Sequence, residues 1–282
     1  MADELVPEQD STIESIRAEI AKSEPTTKKR AFKAFVLAIL GSIPWLGGFL
    51  AAAATFKFEE AGDKQDTLQT QWLEEHQKKL LLLKTTLEEI YTRFERLGDT
   101  IDERLQSEEY LGVVRKAFRI WDEADTEEKR HLVANVITNA AGTRICSDDI
   151  LRLFLDWLQL YHEAHFAVIR ETFQNPGSTR LEIWNEIYGA IPREDSAEAD
   201  LYKMLIRDLS TGGVIRQERD TNQLGQFLRK RPLHVKRGQA SQVMKSAFDD
   251  TENYVLTELG NQFVHYAMTE LVSRLQEPGC QA

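Results

Sequence analysis

Residues 34–56 read AFVLAILGSIPWLGGFLAAAATF, about 23 positions without one charged side chain, which is the length a helix needs to cross a bilayer. The rest of the chain is unlike it. Across 282 residues there are 46 Asp and Glu against 35 Lys and Arg, for a formal net charge of -11. Three structures can use such a run. A single transmembrane helix would be oriented by Lys28, Lys29, Arg30 and Lys33, which stand directly before it and would keep its start inside the cell. A helical hairpin would turn at Ile43-Pro44-Trp45-Leu46-Gly47-Gly48, because Pro disfavours helix in the residue before it and two glycines permit a reversal. A buried hairpin in a soluble core is the third. Buried helices seldom lack a polar face over this length, which favours a membrane role, and within it the hairpin.

On that reading Phe35, Val36, Leu37, Ile39, Leu40, Ile43, Trp45, Leu46, Phe49 and Leu50 enter lipid. Lys28, Lys29, Arg30 and Lys33 bind anionic headgroups, at about 1 kcal/mol each near the surface. Gly41, Gly47, Gly48 and the alanines at 51–54 allow close helix packing in an assembly.

Downstream, Leu73, Leu80, Leu83, Leu87, Ile90, Phe94, Leu97 and Ile101 fall three and four apart once His76 is admitted as a seam position. This heptad predicts one helix over residues 66–108, about 60 Å long. The seam suits an arm folded back into its own bundle, or an oligomer built by copies of the chain. The run of leucines from Leu80 to Leu83 is wider than a two-stranded seam requires, which favours packing on more than one neighbour.

Local signals divide the rest. Ser11 with Glu14 has capping-box spacing for a short helix. Ser107 caps a helix over 110–123, Asp125 one over 129–141 that Gly142 ends, and Ser147 a long apolar helix to about Phe173. Asn175-Pro176-Gly177 is a firm stop. Beyond it Thr179 caps a helix through Trp184 and Ile187, a second helix runs over 196–210, Gly212-Gly213 leads into Val214-Ile215-Arg216, and the strand Tyr254-Val-Leu ends in Thr257, which caps a last helix. The fold class expected is mainly α. It combines an N-terminal hydrophobic helical hairpin, a long heptad helix, a helical bundle, and a small winged-helix (α+β) domain. The expected organisation is an amphipathic helix over 1–27, a membrane-active segment over 28–62, long helix and bundle over 63–174, winged helix over 178–276, and a tail over 277–282.

Composition narrows function. The acidity argues against wholesale nucleic-acid binding. About 13 basic and 15 acidic residues lie in 178–282, so about nine of the eleven net negatives precede Gly177. Only two cysteines, Cys146 and Cys280, suit a reducing cytosol, with no disulfide framework. The first 27 residues are acidic and polar, unlike a secretory signal.

Catalytic constellations are absent from the pattern. His162 and His165 lack the four-residue spacing and third ligand of a zinc-protease site. They read as a satisfied polar stripe. Cys146 has no activating partner in the sequence, and there is no phosphate loop or strand–turn–helix nucleophile. The expectation is a protein that is not an enzyme and takes no cofactor.

Arg229, Lys230, Arg231, Lys236 and Arg237 form a basic cluster where the wing belongs. It suits a regulatory protein partner more than nucleic acid, because Glu194, Asp195, Glu198 and Asp200 crowd the start of the helix that would enter a groove.

The segment 127–141, EEKRHLVANVITNAA, together with 209–215, LSTGGVI, and 254–263, YVLTELGNQF, resembles the Abi-alpha family of bacterial phage-resistance proteins. The resemblance covers about the second half of the chain. The apolar run and the heptad helix lie outside it, and the family has no signature catalytic residues. It implies phage defence of the abortive-infection kind and gives no mechanism. Joined to the apolar run, it suggests an effector, cytoplasmic or at the inner membrane, that perturbs a membrane once a partner or signal releases it. The alternatives are a membrane-tethered winged-helix regulator and a soluble coiled-coil scaffold.

Overall fold

The computed structural model describes residues 27–46, 48, 67–228 and 245–269, with the backbone alone at 27–30, 67–74, 99 and 100. The expected helix within 1–27, the second half of the apolar run with Phe49 and Leu50, the basic cluster from Arg229 to Arg237, Cys280 and the tail lie outside them. The described chain is mainly helical with one two-stranded antiparallel sheet. It divides into two compact units, residues 1–159 with 266–282, and residues 160–265. The division falls earlier than the Asn175-Pro176-Gly177 stop.

In the first unit, α1 (Thr27–Leu40) is followed by α2 (Thr67–Leu97), a 3-10 turn (Gly98–Ile101), α3 (Asp102–Gln106), α4 (Glu108–Glu123), α5 (Glu127–Gly142) and α6 (Asp148–Leu160). The expected continuous helix over 66–108 is broken at Gly98, which takes φ +74. That backbone suits glycine and ends the α2 helix. Ser107 then caps α4 by accepting from the Tyr110 N–H. Thr126, one residue later than the expected Asp125, caps α5 by accepting from the Lys129 N–H. Asp125 instead lies 3.5 Å from the Lys129 ammonium.

Helix α5 sits at the centre of the unit. Eleven consecutive-turn positions, Lys129 and 132–141, are buried on all its faces, as a helix in the middle of a bundle requires. Its two buried amides are satisfied. Asn135 Nδ2 donates to the Ala267 carbonyl at 2.9 Å, and Asn139 Nδ2 donates to the Tyr266 and Thr269 carbonyls at 2.9 and 2.7 Å. Residues near the C-terminal end are thus pinned to the bundle by polar groups that would cost several kcal/mol if buried alone. Tyr110 of α4 donates to the Ile137 carbonyl at 2.9 Å, and Arg104 of α3 forks onto Asp148 in the first turn of α6.

In the second unit the expected single helix from Ser147 to Phe173 is interrupted at Tyr161 and His162, so α7 is separate (Glu163–Gln174). His165 Nδ1 accepts from the His162 N–H at 3.1 Å, which gives α7 a capping arrangement built from histidine. After it come α8 (Arg180–Tyr188), α9 (Ala197–Thr211), β1 (Ile215–Gln217), β2 (Tyr254–Leu256), α10 (Glu258–Phe263) and a π-helical turn (Val264–Met268) whose last three residues belong to the first unit. Ile215 pairs with Leu256 and Gln217 with Tyr254. Asn253 also bridges Thr179, so the chain before α8 flanks the β2 side of the sheet. Thr179 and Thr257 cap the helices expected of them, and Ser196 caps the expected second helix. Trp184, Tyr202 and Phe248 form the core, with ring centroids 5.1 to 5.8 Å apart.

Two consequences are measurable. A Cβ on Gly260 would stand 2.2 Å from the Val214 carbonyl oxygen, a backbone atom that cannot yield cheaply. Gly260→Ala is expected to lower the stability of the second unit by about 1–3 kcal/mol in urea unfolding. Glu194 accepts from the Ala247 N–H at 3.0 Å and from Ser246, and these bonds hold its carboxyl below the usual carboxylate range. That contribution is present above the ordinary Glu pKa of about 4.3 and is lost as pH falls through the lower folded value. Glu194→Gln should therefore flatten the acid limb of the melting-temperature profile below pH ~4.3.

Candidate functional site

Along α1 and the turn after it, Ala31, Phe35, Ile39, Ile43 and Leu46 recur four, four, four and three apart, and all five are buried, as is Val36. This is a helical stripe, and it faces the bundle. The Phe35 ring lies 5.3 Å from Phe94 of α2, edge-on, and 6.5 Å from Phe118 of α4. Phe32 lies 4.9 Å from Tyr91, also edge-on. Such pairs add about 0.5–1.5 kcal/mol each beyond the area they bury. Of the residues read as entering lipid, Phe35, Val36, Ile39, Ile43 and Leu46 are thus packed against this chain's own helices.

The opposite face has a different character. Leu37 is 56% exposed, and Ala34, Ala38 and Gly41 join it beside Leu111 and Arg115 of α4 in a shallow groove. After Lys33, which is exposed, α1 carries no charge on either face. Solvent-facing positions on a helix ordinarily hold charged or polar groups. Leu40 is half-buried, and among Lys28, Lys29 and Arg30 the backbone is helical.

The chain leaves α1 earlier than the expected turn. Gly41 N–H donates to the Leu37 carbonyl at 3.0 Å, and Ser42 donates to Ile39 from both its N–H and its hydroxyl. Pro44 disfavours helix in Ile43, which lies outside α1. Trp45, half-buried, then reaches Asp122 at the end of α4. The indole Nε1–H donates to Asp122 Oδ1 at 2.7 Å, and the Lys79 ammonium of α2 lies 3.3 Å from the same oxygen. The Trp45 ring also meets His76 edge-on at 4.8 Å. One carboxylate, its side chain 12% exposed, therefore ties the apolar run to α2 and α4. Charge-assisted bonds of this kind are about twice as strong as neutral ones.

The heptad seam is satisfied in the same place. Leu80, Leu83, Leu87, Ile90, Phe94 and Ile101 are buried within one chain, and Leu97 is half-buried; the Leu73 side chain lies outside the described residues. The folded-back arm is the arrangement seen. Nothing in the sequence linked Trp45 to Asp122, which stands 77 positions away.

Elsewhere, burial pushes the Cys146 thiol up, away from a reactive thiolate. His165 is buried with its Nε2 4.0 Å from Asp208 and its ring stacked 4.9 Å from Tyr161. Among the described residues, no group of three or more His, Cys, Asp or Glu is placed to hold a metal ion, and no helix is long and apolar enough to cross a membrane. No family model matches the chain, and no curated protein or solved structure matches it either.

The two faces of α1 separate cleanly by mutation. Phe35→Ala removes a buried ring and should cost about 3–5 kcal/mol in chemical denaturation. Leu37→Ala, on the exposed face, should stay within about 0.5 kcal/mol of the parent.

Proposed function

We propose that this chain is a latent membrane-active protein that stores its apolar segment against its own bundle and presents it to lipid when a partner or signal releases it. The observation that carries the reading is the uncharged outer face of α1 around Leu37. A helix meant to stay where it lies would gain solubility from Lys or Glu at Ala34, Leu37, Ala38 or Gly41, and it has neither. The buried stripe makes the stored state the resting one. Phe35, Val36, Ile39, Ile43 and Leu46, at about 1.5–3 kcal/mol each, amount to something on the order of 10 kcal/mol of burial. Lipid returns that term, whereas water does not, so release into water is rare and release onto a membrane is nearly balanced.

On this account Phe94 of the α2 heptad, covered by Phe35 in the resting protein, becomes available to copies of the chain after α1 departs. Membrane lipid is the first partner and a homo-oligomer the second. The second unit supplies the receiver. Its order of α7, a Thr179 bridge, α8, α9, β1 and β2, with β2 between the other two strand positions, supports the winged-helix reading. In that reading α8 is the short helix before the recognition helix, and α7 is the first helix of the fold. A regulatory protein fits this unit better than duplex DNA, since α9 opens with Glu198 and Asp200. The resemblance of the second half to the Abi-alpha family is the ground for proposing a role in bacterial defence, at the cytoplasmic side of the inner membrane and without enzymatic chemistry.

Flotation and dye leakage with anionic vesicles test this directly. Asp122→Ala removes the carboxylate that holds Trp45 and Lys79, and should increase vesicle binding several-fold. Leu37→Asp should keep the fold and lose binding, because a charge at bilayer depth costs about 3 kcal/mol. If Leu37→Asp binds vesicles as the parent does, or if Asp122→Ala binds none, the proposal is wrong.

A further inference from the structure

The second unit holds a cavity of about 480 Å³ whose wall includes Arg180, Arg207, Arg216 and Arg219, with Phe227 and Tyr254. No carboxylate is among its lining residues. We infer that this cavity binds a compact phosphate-bearing ligand of nucleotide size. The site is independent of the membrane reading, because it lies wholly within residues 160–265.

Charge is the first argument. Four arginines line one small space in a chain whose net charge is -11. Concentrating like charge without a counter-charge is unfavourable unless an anion completes it. Arg207 has Asp208 3.5 Å away, but its own side chain is 74% exposed and free to swing. Guanidinium forks match phosphate oxygens in pairs, which a lysine cluster would not.

Preorganisation is the second. The Arg180 guanidinium donates from Nε and Nη2 to the Tyr254 hydroxyl at 2.9 and 2.6 Å, while the Tyr202 hydroxyl donates to the Arg180 carbonyl at 2.7 Å. Arg180 is thereby fixed at the first position of α8, just after the Thr179 cap. Arg216 lies over the Phe227 ring with its carbon 4.8 Å from the centroid. Phe227 is itself 49% exposed, so part of that ring is open to a planar ligand group.

Size and surroundings are the third. The volume falls among small-ligand pockets, which run about 300–1,000 Å³. Duplex DNA is disfavoured, because α9 carries Glu198 and Asp200 in its first turn and would bring them to the phosphates.

The test is calorimetric titration of the full chain with ATP and, separately, with inorganic pyrophosphate at about 0.15 M salt. ATP is expected to bind with Kd below about 1 mM. Arg216→Gln with Arg219→Gln should weaken it at least about tenfold. Both side chains are exposed, so the melting temperature should hold. Arg193→Gln, a guanidinium of the same unit outside the cavity, should leave affinity unchanged. Phe227→Ala should weaken ATP and spare pyrophosphate. Absence of heat with both probes at millimolar concentration overturns the site. So does equal affinity in the double arginine variant, or binding of duplex DNA alone.

Discussion

The side chain of Phe35 lies between Phe94 and Phe118, and the first unit is arranged around that contact. Without α1, the apolar residues of α2 and α4 that meet it would be open to water. Without α2 and α4, α1 would be a greasy helix with nowhere to go. Each surface satisfies the other. The buried stripe supplies the attraction, and the Trp45–Asp122–Lys79 tie holds the run to α2 and α4 at Trp45. The same arrangement explains how a segment with a transmembrane composition can belong to a chain with so acidic a surface.

The arrangement is one-sided, and that asymmetry carries the functional argument. The inner stripe of α1 is as buried as any core helix. Its outer face remains apolar and uncharged, which core packing does not explain. On the proposed reading a stored segment has to satisfy two environments, the bundle and a membrane, and an all-round apolar helix is the composition that does so. α5 and the residues it pins through Asn135 and Asn139 form a part of the unit that need not move.

The sequence was most informative where structure is local. Ser107, Thr179 and Thr257 cap the helices their spacing predicts, because a cap requires only a side-chain oxygen and an N–H three residues on. It was least informative where one residue interrupts a strong periodicity. Gly98 sits in an otherwise regular heptad, and His162 is not a usual cap, so both helix breaks were hidden by the apolar pattern around them. The candidate site was half legible. Composition exposed the apolar run and the heptad seam. The direction in which Phe35 points, the link from Trp45 to Asp122, and the shared cavity of Arg180 and Arg216 depend on residues far apart in the chain, which periodicity does not encode.

Hydrogen exchange of the full-length protein, with and without saturating anionic vesicles, examines the central claim most directly. The account predicts that amides of α2 and α4 lose protection when vesicles are added, as α1 leaves them, while amides over residues 31–40 stay protected in lipid. Unchanged protection throughout α1, α2 and α4, in vesicles to which the protein demonstrably binds, would contradict it.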